Sequence, residues 1–168
     1  MAASHALTST LRELQDVIRP LTRAEYARRD VNASGSIGAH VRHCLDHVCA
    51  LERGIATGQI CYDHRTRNTV VEHDPELAAA RLRRAISRLG GIADNLLERP
   101  LTLVAQIDDN GHALRVSTSV GRELAFVVSH TIHHSAIIAV LLEHAGRELP
   151  ERFGLAPTTP ALEAPCAR

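Results

Sequence analysis

Six of the eleven histidines in this chain fall in two short segments, His40, His43 and His47 in one and His130, His133 and His134 in the other. Neutral imidazole is a good ligand for zinc, nickel or iron, and three protein ligands leave a coordination position open for water or substrate. At about 100° per residue, His40, His43 and His47 occupy roughly 60° of one helical face. Ser36, Ala50 and Gly54 share that face and leave room around the rings, and the greasier side, with Ile37, Val41, Leu45, Val48 and Ile55, begins beside it. His130 and His134 stand four apart, a spacing that two ligands to one metal can use. Their face continues through Glu123, Val127, Ile137 and Leu141, so it is expected to be buried. Facing helices that project histidines inward are how bundles build metal sites. Buried histidines without a metal need other partners, and the nearby sequence offers few carboxylates: Asp46, Glu123 and Glu143.

Composition narrows the remaining chemistry. Nineteen basic residues balance nineteen acidic ones, and every basic residue is arginine. The absence of lysine excludes Schiff-base chemistry, a pyridoxal-phosphate anchor and a phosphate-loop lysine. A net charge of zero provides no field to hold nucleic acid or an anionic membrane, so neither is expected as a partner. Aromatic residues are only 2% of the chain, with no tryptophan, which argues against base-stacking or sugar-binding shelves. Cys44, Cys49, Cys61 and Cys166 lack Cys-x-x-Cys spacing and read as free thiols of a reducing cytoplasm, with Cys44 or Cys49 an outside candidate for a thiolate ligand. The N-terminus has no signal-peptide pattern, and the apolar stretch near 136–142 is too short to span a bilayer.

The elements that must position the histidines are mostly helical. A first helix is expected from about Ser4 to Ile18, with Leu7, Leu11, Leu14 and Ile18 at three- and four-residue spacing. A second begins near Ser34 or Ser36 and runs to about Ile55 before Gly58. A polar connector without clear period then extends to Asp74. There Asp74 as N-cap, Pro75 and Glu76 start a third helix, read as continuing through Leu89, Ile92 and Leu96 to a stop before Pro100. Segments 101–107 and 113–117 flank Asp109-Asn110-Gly111 and predict a short hairpin. The fourth helix spans about Ser119 to Ala145, closed by Gly146. The prolines at 150, 157, 160 and 165 predict an extended tail over about 146–168. The 168 residues therefore read as one domain, an all-α four-helix bundle.

Two further groups are candidates for chemistry. Tyr62, Asp63, Arg65 and Arg67 lie in the connector and could border the open end of the bundle, an arginine holding a substrate carboxylate. Glu123, two turns before His130 on the same face, is a candidate catalytic base or a partner of a ligand histidine.

The segment Ser36-Ile-Gly-Ala-His40-Val-Arg-His43-Cys-Leu-Asp-His47 resembles the second-helix motif of the DinB-like (damage-inducible, YfiT-type) metal-binding superfamily. Ser129-His130-Thr-Ile-His133-His134 resembles its last-helix His-x-x-x-His motif. Tyr62-Asp63-x-Arg65-x-Arg67, Gly121-Arg122-Glu123-Leu124 and Phe153-Gly-x-Ala-Pro-x-Thr look like an uncharacterised bacterial branch of it. The resemblance covers about Ser34 to Thr159. It implies an up-down-down-up bundle with a three-histidine site for zinc, nickel or iron, the ligand roles falling on His43, His130 and His134. It also implies thiol-dependent transferase or isomerase chemistry with a low-molecular-weight thiol, and a homodimer. The chain departs in lacking the Arg-Gly-Gln that often follows the last ligand, having Ser135-Ala136-Ile137. It also carries His40, His47 and His133 as further possible ligands. A metal-dependent enzyme, a transferase or hydrolase acting on a small anionic substrate, is the leading functional expectation. A stress-response bundle with a structural metal, and a dimeric interaction module without one, are the alternatives.

Overall fold

The computed structural model describes residues 2–30, 35–63 and 69–160. Four long helices dominate: α1 (Ala2–Ile18), α3 (Ile37–Thr57), α4 (Pro75–Leu89) and α5 (Val120–His144). A one-and-a-half-turn α2 (Arg23–Ala27) follows α1. Its start is fixed by a capping box in which Thr22 Oγ1 accepts from the Glu25 N–H and Glu25 Oε2 accepts from the Thr22 N–H. That Thr-x-x-Glu signal was readable in the sequence. Two two-residue strands, β1 (Arg29–Asp30) and β2 (Gly35–Ser36), pair antiparallel before α3. Ser36, rather than Ser34, is the N-cap of α3, its side chain accepting from the Ala39 N–H at 3.1 Å.

Contacts at the helix ends fix the topology. Arg23, just beyond α1, pairs with Asp74, the N-cap of α4, at 2.7 Å, so α1 and α4 run antiparallel. Arg42 near the start of α3 reaches Glu72, just before α4, at 3.0 Å, and Glu52 near the end of α3 meets Arg88 near the end of α4 at 2.9 Å. Those two helices are therefore parallel. His40 meets His134 and His47 meets His130, which makes α3 and α5 antiparallel. Arg147, beyond α5, pairs with Glu25, beyond α1, so these two are parallel. The order is up-down-down-up, as expected.

Parallel α3 and α4 need a connection that travels back along the bundle. Twenty-one residues of α3 rise about 30 Å, and the fifteen residues 59–73 can cover about 50 Å when extended. The connector is anchored at both ends. At one end β3 (Gln59–Ile60) adds in parallel to β4 (Pro100–Gln106), which pairs in register with β5 (Ala113–Ser119), so the expected hairpin becomes a three-stranded sheet. At the other end a 3₁₀ turn, Val70–Glu72, lies against the start of α3. The approach is close: a Cβ on Gly38 would stand 2.1 Å from the Glu72 carbonyl oxygen and 2.8 Å from the Tyr26 ring.

The core runs along the bundle axis. Leu7, Leu11, Leu14 and Ile18 of α1 are fully buried against Leu82 and Leu89 of α4 and Leu124, Ile138 and Leu142 of α5. Each such side chain contributes roughly 1.5–3 kcal/mol. α5 is long and apolar enough to cross a membrane by composition, yet it packs on both α1 and α3 and buries Glu123.

Two boundaries differ from the sequence expectation. α4 ends at Leu89 instead of running to Leu96, because Gly90 and Gly91 together cost about 2 kcal/mol of helix propensity; a 3₁₀ turn, Asp94–Leu96, follows. The tail is irregular to residue 160, but turns at 151–154 fold it back and bury Phe153 in the core, so this part does not run extended. The apolar Phe153 outweighs the extended bias of the prolines.

The Gly38 approach generates a test. Because a backbone carbonyl stands in the way, Gly38→Ala should lower the urea midpoint by the equivalent of about 1–3 kcal/mol or more. An unchanged midpoint would mean that the 3₁₀ turn is not held against α3.

Candidate metal centre

Facing stripes of α3 and α5 bring five imidazoles together. His40, His43 and His47 are buried on α3, and His130 and His134 are half-buried on α5. The Nε2 atoms of His43 and His130 are 3.0 Å apart. The His47 and His130 rings stack at 3.9 Å, and His43 stands edge-on to His47 at 4.4 Å. His134 lies 4.6 Å from His130 and 4.7 Å from His43, centroid to centroid. On its other side, His134 Nδ1 is 3.0 Å from His40 Nδ1. His133 is exposed, and its ring lies 5.2 Å from that of His134.

Within this row one trio is tightest. Each of His43, His47 and His130 offers a ring nitrogen such that all three atoms lie within 4.8 Å of one another. Two nitrogens bound to one ion at about 2.1 Å can be no more than about 4.2 Å apart, and a tetrahedral pair is about 3.4 Å apart. The trio is therefore within a small side-chain rotation of a coordination shell. His47 is prepared for it: its Nδ1 donates to the His43 carbonyl at 3.1 Å, which leaves the Nε2 lone pair for an ion. The sequence expectation of His43, His130 and His134 shares two members with this trio. His47 is drawn in beside them, and His134 lies next along the row.

The protonation state suits coordination. Burial, and then the neighbouring His130, His40, His133 and His47, push the His134 pKa down to about 3. Burial is also the main cause of a lowered pKa at His40, followed by His133 and Arg42. Both rings are thus neutral at pH 7, and because one proton lies between their Nδ1 atoms, one of the two keeps its lone pair for another partner. The cysteines offer no comparable donor. Cys44 is buried in the core and its thiol is pushed up to about 12 by burial, and burial likewise raises Cys49. Without an ion, neither is a thiolate at neutral pH.

Tyr62 covers one side of the row. Its ring stacks on His47 at 4.9 Å, nearly parallel, and its hydroxyl donates to Glu123 Oε2 at 2.8 Å. Glu123 is fully buried, and its other oxygen accepts from Thr118 at 2.7 Å and from Arg122 at 2.8 Å. Phe126, which sequence reading missed, closes the wall: it lies 5.6 Å from His130 and 5.1 Å from Tyr62, with the Arg122 guanidinium over its ring. Its position four before His130 on the same stripe was the available signal. Asp63 is exposed and turned to the sheet, accepting from the Gln106 N–H at 2.7 Å. Arg65 and Arg67 lie outside the described residues, as does Cys166.

Residues 6–138 match the family model of the DinB superfamily. The fold is similar to a DinB-like protein from Bacillus subtilis (YjoA), with a TM-score of 0.64 and 17% identity over 89% of this chain and 96% of that one. A DinB-like protein from Bacillus cereus gives 0.59 at 16% identity, over 84% and 89% of the two chains. YfiT from Bacillus subtilis gives 0.61 at 15% identity, over 87% of both; it is described as a probable metal-dependent hydrolase with an unusual four-helix bundle topology. In sequence, 99 residues are 36% identical to FK506-binding protein 5 of Rhizopus delemar, covering 58% of this chain. The chain covers 26% of that relative, about a quarter of its length.

The depressed His134 pKa has a consequence for the metal-free protein. Below about pH 6.5 the unfolded chain takes up a proton that the folded chain refuses down to about pH 3, so stability falls as pH falls through this window. Between pH 6.5 and 4.5 the urea midpoint should drop by the equivalent of up to about 2 kcal/mol, allowing for partial exposure of the ring. His134→Gln should make the dependence shallower without abolishing it, because His40 is shifted in the same direction. A wild-type midpoint that is flat with pH would contradict the neutral, desolvated ring.

Proposed function

The chain belongs to the DinB superfamily, and on that premise we propose that it is a metal-dependent enzyme whose divalent ion is held by His43, His47 and His130, with His134 as the next donor. The observation that carries this reading is the trio of imidazole nitrogens within 4.8 Å, drawn from two antiparallel helices. Bound there, zinc, nickel or iron would supply Lewis acidity to a substrate water or thiol. The chain's own residues do the rest. His47 is locked by its Nδ1 bond to the His43 carbonyl, and Tyr62 and Phe126 wall off the stacked rings from bulk water. Glu123 holds Tyr62 in place through its hydroxyl.

The substrate is a small anionic molecule, with a low-molecular-weight thiol as co-substrate in a transferase or isomerase reaction, or water in a hydrolase. The resemblance in the sequence supports the thiol, and the description of YfiT supports hydrolysis. Arg65 and Arg67 come two and four residues after Asp63 in the sequence and supply the positive charge such a substrate needs. A cytoplasmic homodimer completes the proposal.

A second reading, a structural metal in a non-catalytic bundle, draws support from His134. A fourth imidazole, 4.6 Å from His130, could close a tetrahedral shell.

Metal analysis and cobalt spectroscopy separate these readings. Protein purified without an affinity tag should carry close to one zinc, nickel or iron per chain, and His43→Ala or His130→Ala should remove most of it. Wild-type protein that takes up none of the three would end both readings. In the cobalt-substituted protein, small anions or thiols should change the visible spectrum if a coordination position is open. A spectrum that no such ligand moves would establish the structural reading against the enzyme.

A further inference from the structure

We infer that His40 is a positioning residue for His134: its Nδ1 accepts the Nδ1 proton of His134, so that His134 offers its Nε2 to the metal centre as an additional donor. The inference rests on the metal reading above and assigns the roles of the two histidines at the edge of that site; with four imidazoles bound, substrate would enter as a fifth ligand in the enzyme, and the shell is complete without it in the structural reading.

The geometry is specific. The two Nδ1 atoms are 3.0 Å apart, a hydrogen-bond distance that needs one proton between two nitrogens. With both rings neutral there are two arrangements. If His134 donates, its second proton position, Nε2, carries a lone pair. If His40 donates, His134 is protonated at Nε2 and is lost as a ligand through that atom. A cation beside His130 and His43 selects the first arrangement, because it attracts the lone pair and repels a proton at the same place.

The same device is already present at the other edge of the row. His47 Nδ1 is tied to the His43 carbonyl at 3.1 Å, and His134 Nδ1 is tied to His40 at 3.0 Å. Both flanking imidazoles are thus anchored at Nδ1, as ligand histidines usually are, and both keep Nε2 for the ion. His40 itself is well held. It is 93% buried by the complement of its 7% exposure. That Nε2 has no hydrogen-bond partner among the described residues, which leaves the contact with His134 as the bond that uses the ring. Of the three histidines on α3, His40 is therefore an orienting group, and His43 and His47 are the donors.

The test measures zinc affinity of the full chain by competition with a chromogenic chelator, alongside nitrogen NMR of the zinc-loaded imidazoles. His40→Phe should bind one ion with an affinity lowered 10–100-fold, the usual cost of losing a partner of a ligand histidine. His40→Asn, whose Oδ1 stands near the place of the imidazole Nδ1 and accepts the same proton, should recover most of that loss. In the loaded wild type, His134 should carry its proton on Nδ1. Wild-type affinity in His40→Phe overturns the inference, as does a second ion in the wild type that His40→Phe removes, since His40 would then be a ligand. If His40→Phe fails to fold, the NMR of the wild type decides: a proton on His134 Nε2 overturns the assignment. Wild-type protein that binds no zinc, nickel or iron instead overturns the metal reading, and this inference with it.

Discussion

Everything in the site depends on the antiparallel contact between α3 and α5, which places imidazoles against imidazoles. Such a row cannot be charged throughout: like charges a few ångströms apart in a desolvated groove would cost several kcal/mol each. The fold keeps His134 and His40 neutral by burying them and surrounding them with other rings. A neutral imidazole in a groove is a lone pair with one less hydrogen bond than it had in water. A divalent transition ion is the solute that satisfies several such lone pairs at once.

The bundle topology makes this contact possible. In an up-down-down-up arrangement α3 is parallel to α4 and antiparallel to α5, so the loop after α3 must travel back along the bundle before α4 can begin. The chain turns that requirement into a wall. β3 fixes the start of the connector beside β4, Tyr62 follows at once and stacks on His47, and the far end is seated where only a glycine at position 38 lets the Glu72 carbonyl approach. Arg42 of α3 holds this far end through Glu72 at 3.0 Å and is itself steadied by Asp46, one turn on, at 2.6 Å. A loop that looks polar and shapeless in sequence is thus pinned at both of its described ends, Tyr62 on the histidine stripe and Glu72 on the opposite side of α3.

The legible parts of the sequence were those set by local chemistry. Helical spacing of Leu7, Leu11, Leu14 and Ile18, the caps at Ser36 and Asp74, and the turn at Asp109-Asn110-Gly111 each act over a few residues, and the elements they predict are present. The facing histidine stripes were legible for the same reason. The order of the donors along the stripe was not: whether His47 or His134 stands nearer to His43 and His130 depends on the rotation of two helices about their axes. The two-residue β3 was also hidden, because Gln59 and Ile60 are strand only by virtue of Thr102 and Leu103 on the neighbouring strand. α4 was read too long because apolar spacing through Ile92 and Leu96 masked two glycines. Phe153 shows the reverse failure, with tertiary burial overriding a proline-rich local pattern.

The position of Glu123 constrains what chemistry the site can perform. A carboxylate offers about four acceptor sites, and the buried Glu123 has given three of them to Tyr62, Thr118 and Arg122. About one acceptor site remains, and with the residue fully buried a substrate proton would have to reach it past Tyr62, Thr118 and Arg122. Tyr62 is no freer. Burial, and then the adjacent Glu123 charge, raise its phenol above the usual range, so at neutral pH it stays protonated and donates to that carboxylate. The pair therefore holds one wall of the groove shut. The structural part of Glu123 is to keep Tyr62 stacked on His47, which fixes one edge of the imidazole row.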